Sequence, residues 1–411
     1  MLASARAAPP GSSQAPPTIA PFDELMQRFI RDNGVQSSAL AVTRAQKLVY
    51  AKGFGPLKAN AGSPVVPSTP FRIASLSKPF TSVAVLQLAE RHKLALDDPI
   101  FKFLRSNPRL AQSKIVDPRW DRVTIRNCLQ HTSGMDRDAS GDPIVMLDEI
   151  RQALRIDYPI PPEAVVQFSL GRRLDFNPGD KYAYSNVGYL ILGCVIQAVS
   201  GQTYDAYVQS EVCRPVGITG MRLARALPEN RPPEEVAYFD ADHRTGPCVY
   251  PPKVGRSVPL ADGGYNIEGY QAHGGWIASA IDLVRFAAAF DDPKNCPLLS
   301  ADSIQTMFQR PQGKPGLEPT GKPSATYYGC GWSVRPVRNG KNSTWHTGLL
   351  IPGSSTLLVR RWDGLNWAVL FNSDHGTRGT HLADAIDPLV HQAADSVRSW
   401  PAVELLPTVP R

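Results

Sequence analysis

Three short stretches of this chain could together run acyl-transfer chemistry. The first is Ser75-Leu76-Ser77-Lys78, inside Phe71-Arg-Ile-Ala-Ser-Leu-Ser-Lys-Pro-Phe80. Residues three apart on a helix share a face, so the Lys78 amine can lie beside the Ser75 hydroxyl. A serine hydroxyl is a poor nucleophile until a neighbouring base takes its proton, and a desolvated lysine or a tyrosinate can do this. The second stretch, Tyr184-Ser185-Asn186, follows a Pro178-Gly179 turn. With cations beside it the Tyr184 phenol can shift towards its ionised form, act as base and return the proton to a leaving group. Asn186 can hydrogen-bond Lys78 or a substrate carbonyl. The third stretch is His346-Thr347-Gly348. His346 and Thr347 can face a substrate there, and Gly348 lets a substrate backbone approach closely. The Leu349 N–H can pair with that of Ser75 as an oxyanion hole. Each stretch alone also has a plain structural reading: a common Ser–Lys spacing, a packed loop tyrosine with a helix-capping Asn, and an ordinary edge-strand trio.

The elements that must hold these residues are legible around them. Phe80–Ala89 is almost continuously apolar, broken by Thr81 and Ser82, with Gln87, Glu90 and Arg91 on one polar stripe. A helix apolar around most of its circumference belongs in the middle of a fold. Ser75 would stand at its N-terminal end, where unpaired N–H groups suit a developing oxyanion. Val187–Val199 is a second buried-helix pattern, stopped by Gly201, so Tyr184 and Asn186 are presented from the turn before it. Ser343–Leu350 reads as the strand carrying His346, accompanied by Thr326–Val334, Ser354–Arg361 and Asn366–Asn372, and then a final helix, His381–Val397. Near the N-terminus, Phe22–Asp32 places Phe22, Leu25, Met26, Phe29 and Ile30 on one helical face. A hairpin of Ser38–Thr43 and Lys47–Gly53 follows it. Between these ends lie helical segments at Thr124–Gln130, Pro161–Leu174 and Ala280–Phe290, the last with Ser279 as N-cap and Asp282 at N3. His131, beside the helix-ending Thr-Ser-Gly134, reads as holding a loop rather than as catalytic. Leu223–Gly269 reads as long loops walling a cleft. Met1–Pro21, rich in Ala, Pro and Ser, reads as a disordered leader, and Pro401–Arg411 as a frayed tail.

Composition excludes several other classes. Net charge is +7, but the 44 Lys and Arg residues are scattered, which argues against a nucleic-acid partner. No apolar run is long enough to span a bilayer. The eight His and six Cys residues show no metal-ligand spacing, so no metal and no cofactor is expected. Of the cysteines, Cys194 and Cys330 read as buried thiols, and Cys248 and Cys296, in Pro-rich sequence, are the better disulfide candidates. The leader, as a trimmed signal remnant or tether, points to a periplasmic or secreted protein, with a cytoplasmic one as alternative.

Taken in order, Ser75-x-x-Lys78, Tyr184-Ser-Asn186 and His346-Thr-Gly348 resemble the motif set of the serine β-lactamase and penicillin-binding-protein superfamily. The resemblance is to its class C-like branch of β-lactamases, DD-carboxypeptidases, D-aminopeptidases and related esterases. Phe71-Arg-Ile-Ala-Ser75, His131-Thr-Ser-Gly-Met135, Phe176-Asn-Pro-Gly179 and Gly274-Gly-Trp276 extend it over Phe22 to Val397. It implies an α/β (α+β) fold in which residues 22–93 and 285–400 form one antiparallel-sheet domain flanked by the first and last helices. Residues 94–284 would form a mostly helical inserted domain, with the cleft between the two. It further implies that Ser75 attacks a carbonyl while Lys78 and Tyr184 handle its proton, and that water then hydrolyses the acyl-enzyme. His346 stands where most class C β-lactamases carry Lys, and a histidine is mostly neutral at pH 7. The expectation is therefore a small ester, D-amino-acid amide or peptide as substrate, ahead of a β-lactam or a DD-carboxypeptidase substrate. If another residue were to read a β-lactam carboxylate, Arg335, Arg360 or a loop arginine would be the candidate. A catalytically silent binding or scaffold member is the alternative of another class; its signature would be loss of Ser75, Lys78 or Tyr184, and all three are present.

Overall fold

The computed structural model describes residues 19–58, 62–377 and 379–401. Most of the expected leader and tail lies outside the described residues, but the leader ends sooner than expected: Ala20 and Pro21 already belong to the first helix. That helix, α1 (Ala20–Asn33), buries Phe22, Leu25, Met26 and Phe29, and Gly34 at φ 65° stops it with its N–H on the Ile30 and Arg31 carbonyls.

Strands β1 (Ser38–Arg44) and β2 (Lys47–Phe54) form the expected hairpin. The other strands come from the far end of the chain: β3 (Tyr327–Tyr328), β4 (Ser333–Pro336), β5 (Asn342–Leu350), β6 (Ser354–Arg360) and β7 (Leu365–Phe371). Together they make one seven-stranded sheet in the order β2-β1-β7-β6-β5-β4-β3, with every adjacent pair antiparallel. The single strand expected over Thr326–Val334 is instead a tight hairpin, with Tyr328 opposite Ser333. Its turn needs Gly331 at φ 83°, a left-handed conformation closed to most residues.

Because successive strand side chains point to opposite faces, the sheet has two cores. Leu40, Val42, Leu357, Val359, Trp367, Val369 and Phe371 pack on α1 and on the last helix, α5 (Leu382–Ser396). Ala39, Ala41, Leu358, Ala368 and Leu370 face the main core instead. The small residues on that side let α4 (Ala280–Ala288) lie close. Its start is fixed as expected, with Ser279 and Asp282 in a reciprocal capping box. Below α4 run α2 (Ser77–Glu90) and α3 (Asn186–Ser200), the two helices that the apolar runs predicted. Phe80 of α2 stacks on Phe286 of α4 at 3.9 Å between ring centroids. The stretch expected as irregular loops, Leu223–Gly269, contains a two-stranded ribbon, Thr245–Pro247 with Ser257–Pro259.

The disulfide expectation fails. All six cysteines are free, and Cys248 is buried with its thiol donating to the Tyr250 carbonyl at 3.5 Å. Among the described residues no helix is long and apolar enough to cross a membrane.

Candidate active site

The chain reaches Ser75 through a tightly held turn. Arg72 is fully buried; its guanidinium donates to the Ala261 and Arg225 carbonyls and to the Tyr265 hydroxyl. It also stacks on Tyr238 at 4.4 Å and faces the buried Glu235 at 3.8 Å. Ile73 is fixed on both sides, its N–H on the Trp276 carbonyl and its own carbonyl accepting from Thr356 Oγ1. Ala74 then takes φ 50°, a strained value for a residue with a Cβ, and Ser77 Oγ donates to its carbonyl at 2.6 Å. Ser75 therefore sits within a single 3₁₀ turn (Ala74–Leu76), just ahead of α2, rather than in its first α-helical turn.

Lys78 and Tyr184 meet at Ser75. Lys78 Nζ is 3.0 Å from Ser75 Oγ, and the Tyr184 hydroxyl donates to the same oxygen at 2.9 Å. Two further acceptors lie at 2.8 Å from Nζ, the Asn186 side-chain oxygen and the His273 carbonyl. Lys78 is fully buried, and burial, with Arg137 adding to it, holds the amine well below its ordinary value of 10.5; Asp142 opposes this. A neutral amine has two hydrogens and one lone pair. Asn186 and His273 can only accept, so they take the hydrogens and leave the lone pair for the Ser75 proton. Tyr184 behaves differently from the expectation. Its burial outweighs the Ser75 hydrogen bond and Arg137, so the phenol is held well above its usual value and stays protonated. An uncharged amine beside a protonated phenol makes Lys78 the candidate base of this site and Tyr184 the candidate proton donor.

The β5 residues do not all reach the cavity. His346, Thr347 and Leu349 line the cavity. The Nδ1–H of His346 donates to the Thr347 carbonyl at 2.6 Å, so Nε2 must accept from the Tyr328 hydroxyl at 2.9 Å. Burial beside Lys78 pushes His346 down to about 3, so it carries no charge at neutral pH. Gly348 does not face the substrate space. A Cβ there would lie 2.4 Å from the Ile73 carbonyl oxygen and 2.2 Å from Thr356 Oγ1. The missing side chain admits the turn that carries Ser75, not a substrate backbone.

Three residues of the site were not found by reading motifs. Asp142 accepts from the Asn186 amide nitrogen at 2.6 Å, which fixes the amide with its oxygen towards Lys78. Arg137 lies 4.5 Å above the Tyr184 ring and lines the cavity. Of the arginines considered for a carboxylate, neither Arg335 nor Arg360 lines it; Arg335 stacks on Trp345, and Arg360 pairs with Asp291. The His273 carbonyl completes the Lys78 shell. His131 is the loop-holder expected: its carbonyl accepts from Ala183 N–H, its Nδ1 from Ser185 N–H, and its ring packs 4.2 Å from Tyr184. Both amides flanking Tyr184 are therefore tied to one residue. The cavity, about 910 Å³, opens over Ser75 between these loops and β5. Among the described residues no cluster of His, Cys, Asp or Glu forms a metal cage.

The family model for Beta-lactamase matches residues 22–391. The chain belongs to the β-lactamase family. Within this serine-hydrolase family it is 28% identical to esterase EstB of Burkholderia gladioli over 322 residues, 75% of this chain and 74% of that one. It is 22% identical to protein flp of Staphylococcus aureus over 357 residues, 85% of this chain, and spans only 62% of that protein's length. Among solved structures, D-amino acid amidase from Ochrobactrum anthropi SV3 shares the fold at TM-score 0.66 and 22% identity, covering 93% of this chain and 98% of its own.

Proposed function

We propose that this member of the β-lactamase family hydrolyses small uncharged carboxylic esters or D-amino-acid amides through an acyl-enzyme on Ser75. The observation that carries the reading is the Ser75 oxygen held between the Lys78 amine at 3.0 Å and the Tyr184 phenol at 2.9 Å. Lys78 takes the Ser75 proton as Oγ bonds to the substrate carbonyl carbon. The Ser75 and Leu349 N–H groups face the developing oxyanion. As the C–O or C–N bond breaks, Tyr184 gives its proton to the leaving group and is reprotonated from Lys78. Water then attacks the acyl carbon, and Ser75 leaves as the hydroxyl. The names of EstB and of the D-amino acid amidase support these two substrate classes. So does the neutral His346, which offers no fixed charge to a carboxylate.

Arg137 favours a second reading. It is a cation inside the cleft, and its one ion pair among the described residues is with the exposed Asp138 at 3.7 Å. Such a pair is worth little, so the guanidinium is available to the carboxylate of a penicillin. Intact mass after incubation with a fluorophosphonate, a penicillin and a short-chain aryl ester separates the two. The ester reading expects a fluorophosphonate adduct on Ser75, ester turnover and no lasting penicillin adduct. A stable or rapidly hydrolysed penicillin adduct with no ester turnover would replace it by the second reading. An adduct mapped to Ser77, Ser133 or Ser185 would remove Ser75 from the centre of both.

A further inference from the structure

Among the described residues nine large hydrophobic side chains are exposed, and three of them, Val145, Tyr182 and Ile351, line the one cavity that holds Ser75. They come from separate parts of the chain. Val145 ends the short turn Pro143–Val145 that follows Asp142, Tyr182 is two residues before Tyr184, and Ile351 follows the last residue of β5. Their exposures are 66%, 44% and 56%. A single exposed aliphatic is unremarkable, but three exposed apolar side chains lining one cavity leave apolar surface that costs solvation until something apolar covers it. Each is tied by a few residues of backbone to a group in the catalytic cluster, so the patch lies at a fixed distance from the acyl site. Leu349 and the buried Leu350 line the same cavity.

We propose that Val145, Tyr182 and Ile351 form an apolar subsite that takes the hydrocarbon chain or ring of an ester substrate. This deepens the reading of the cleft as an esterase site and rests on it. The three side chains line the cavity that holds Ser75 and carry no charge themselves, so an apolar substituent on the ester gains by covering them. The chain could belong to the acyl group or to the alcohol, and the two arms of the test tell these apart.

The first measurement is kcat/KM for p-nitrophenyl esters from acetate to hexanoate, set beside phenyl, benzyl and methyl acetates. We expect a rise of about two- to fourfold per methylene in one series, the amount that burying a methylene supplies. Val145→Ser combined with Ile351→Ser should cut the ratio of longest to shortest substrate by roughly tenfold, whereas Val145→Ile with Ile351→Leu should keep it. Because the side chains are exposed, the serine variants should melt with wild type; if they do not, the conservative pair and Tyr182→Ser decide the matter. A ratio that does not fall in the serine variants, in both series, overturns the subsite. A second measurement does not depend on turnover: fluorescence of N-phenyl-1-naphthylamine bound to Ser75→Ala, with and without the two serine substitutions. Loss of binding supports the subsite even if no ester is hydrolysed, which would count against the esterase reading alone. Undiminished binding together with flat ratios sinks the proposal.

Discussion

At the scale of single residues, protonation states decide what this site can do. Lys78, His131, His273 and His346 are all buried bases held below their ordinary values, burial being the main cause for each. Activity on an uncharged ester should therefore rise with pH on a limb set by Lys78, centred well below 10.5. No limb near 6.5 should come from His346, which burial beside Lys78 pushes down to about 3. A kcat/KM profile for wild type and His346→Gln checks this; a limb near 6.5 that vanishes in the variant contradicts it. The sign for stability follows from the same shift. Between about 3 and 6.5 the unfolded chain binds a proton at residue 346 that the folded chain refuses, so this contribution is complete above 6.5 and is lost as pH falls towards 3. The Lys78–Tyr184 pair is testable by non-additivity. Lys78→Met and Tyr184→Phe should each slow acylation by about 10²- to 10⁴-fold, with the double variant little worse than either. Losses that add in the logarithm of the rate would show two independent groups. Ser75, Lys78, Tyr184, Asn186 and His346 were legible from motif spacing because each motif falls within four consecutive residues. Arg137 and Asp142 were not. Asp136-Arg-Asp-Ala-Ser-Gly-Asp142 reads locally as a charged turn, and only the fold sets it over Tyr184 and Asn186.

At the scale of elements, the sequence reading succeeded where one period ran long enough. The apolar circumference of α2 and α3, the one-sided pattern of α1 and the Ser279–Asp282 box each declare an element from local residues. It failed where a short run mixed strand formers with glycine. Gly329 and Gly331 divide Thr326–Val334 into two strands, and a period of two cannot show a reversal that a single left-handed residue creates. Gly348 was misread for a related reason. Glycine marks a close approach, but the sequence does not say of what. The approach is that of the Ile73–Ala74 turn to β5 and β6, so Gly348→Ala should act on the position of Ser75. The added methyl meets backbone at 2.4 Å, which side-chain repacking cannot relieve. Overpacking of this kind costs about 1–3 kcal/mol. We expect a lower Tm and at least a tenfold slower fluorophosphonate adduct, with the loss in kcat rather than in KM. A variant that labels at the wild-type rate with raised KM would restore Gly348 to the substrate side.

At the scale of the whole molecule, the chain crosses its own sheet. β1 pairs with β7 all along its length, Ser38 opposite Phe371 and Arg44 opposite Leu365, so the first and last parts of the sequence share one ladder. The outer face of that ladder is covered by α1 and α5, and Trp400 beyond α5 reaches back to Phe22 at 6.1 Å between rings. The reacting groups lie at the other side, on the turn before α2 and the inner positions of β5. This separation yields a prediction with two parts. Ile386 of α5 is fully buried against the outer face, and Ile386→Ala should cost about 2–5 kcal/mol through lost burial and the cavity left behind. Well below the lowered Tm, kcat/KM should stay within about twofold, because independent sites far apart behave additively. Removing His381–Arg411 is a different perturbation. It strips α5 from Leu357, Val359, Trp367, Val369 and Phe371 at once and leaves an apolar sheet face open to water. That chain should be insoluble or unfolded, as judged by circular dichroism and by absence of a Ser75 adduct. A soluble truncated chain that still forms the adduct would show that the ladder holds without its outer layer. Loss of activity in folded Ile386→Ala would show instead that the outer face helps to set the Ser75 turn.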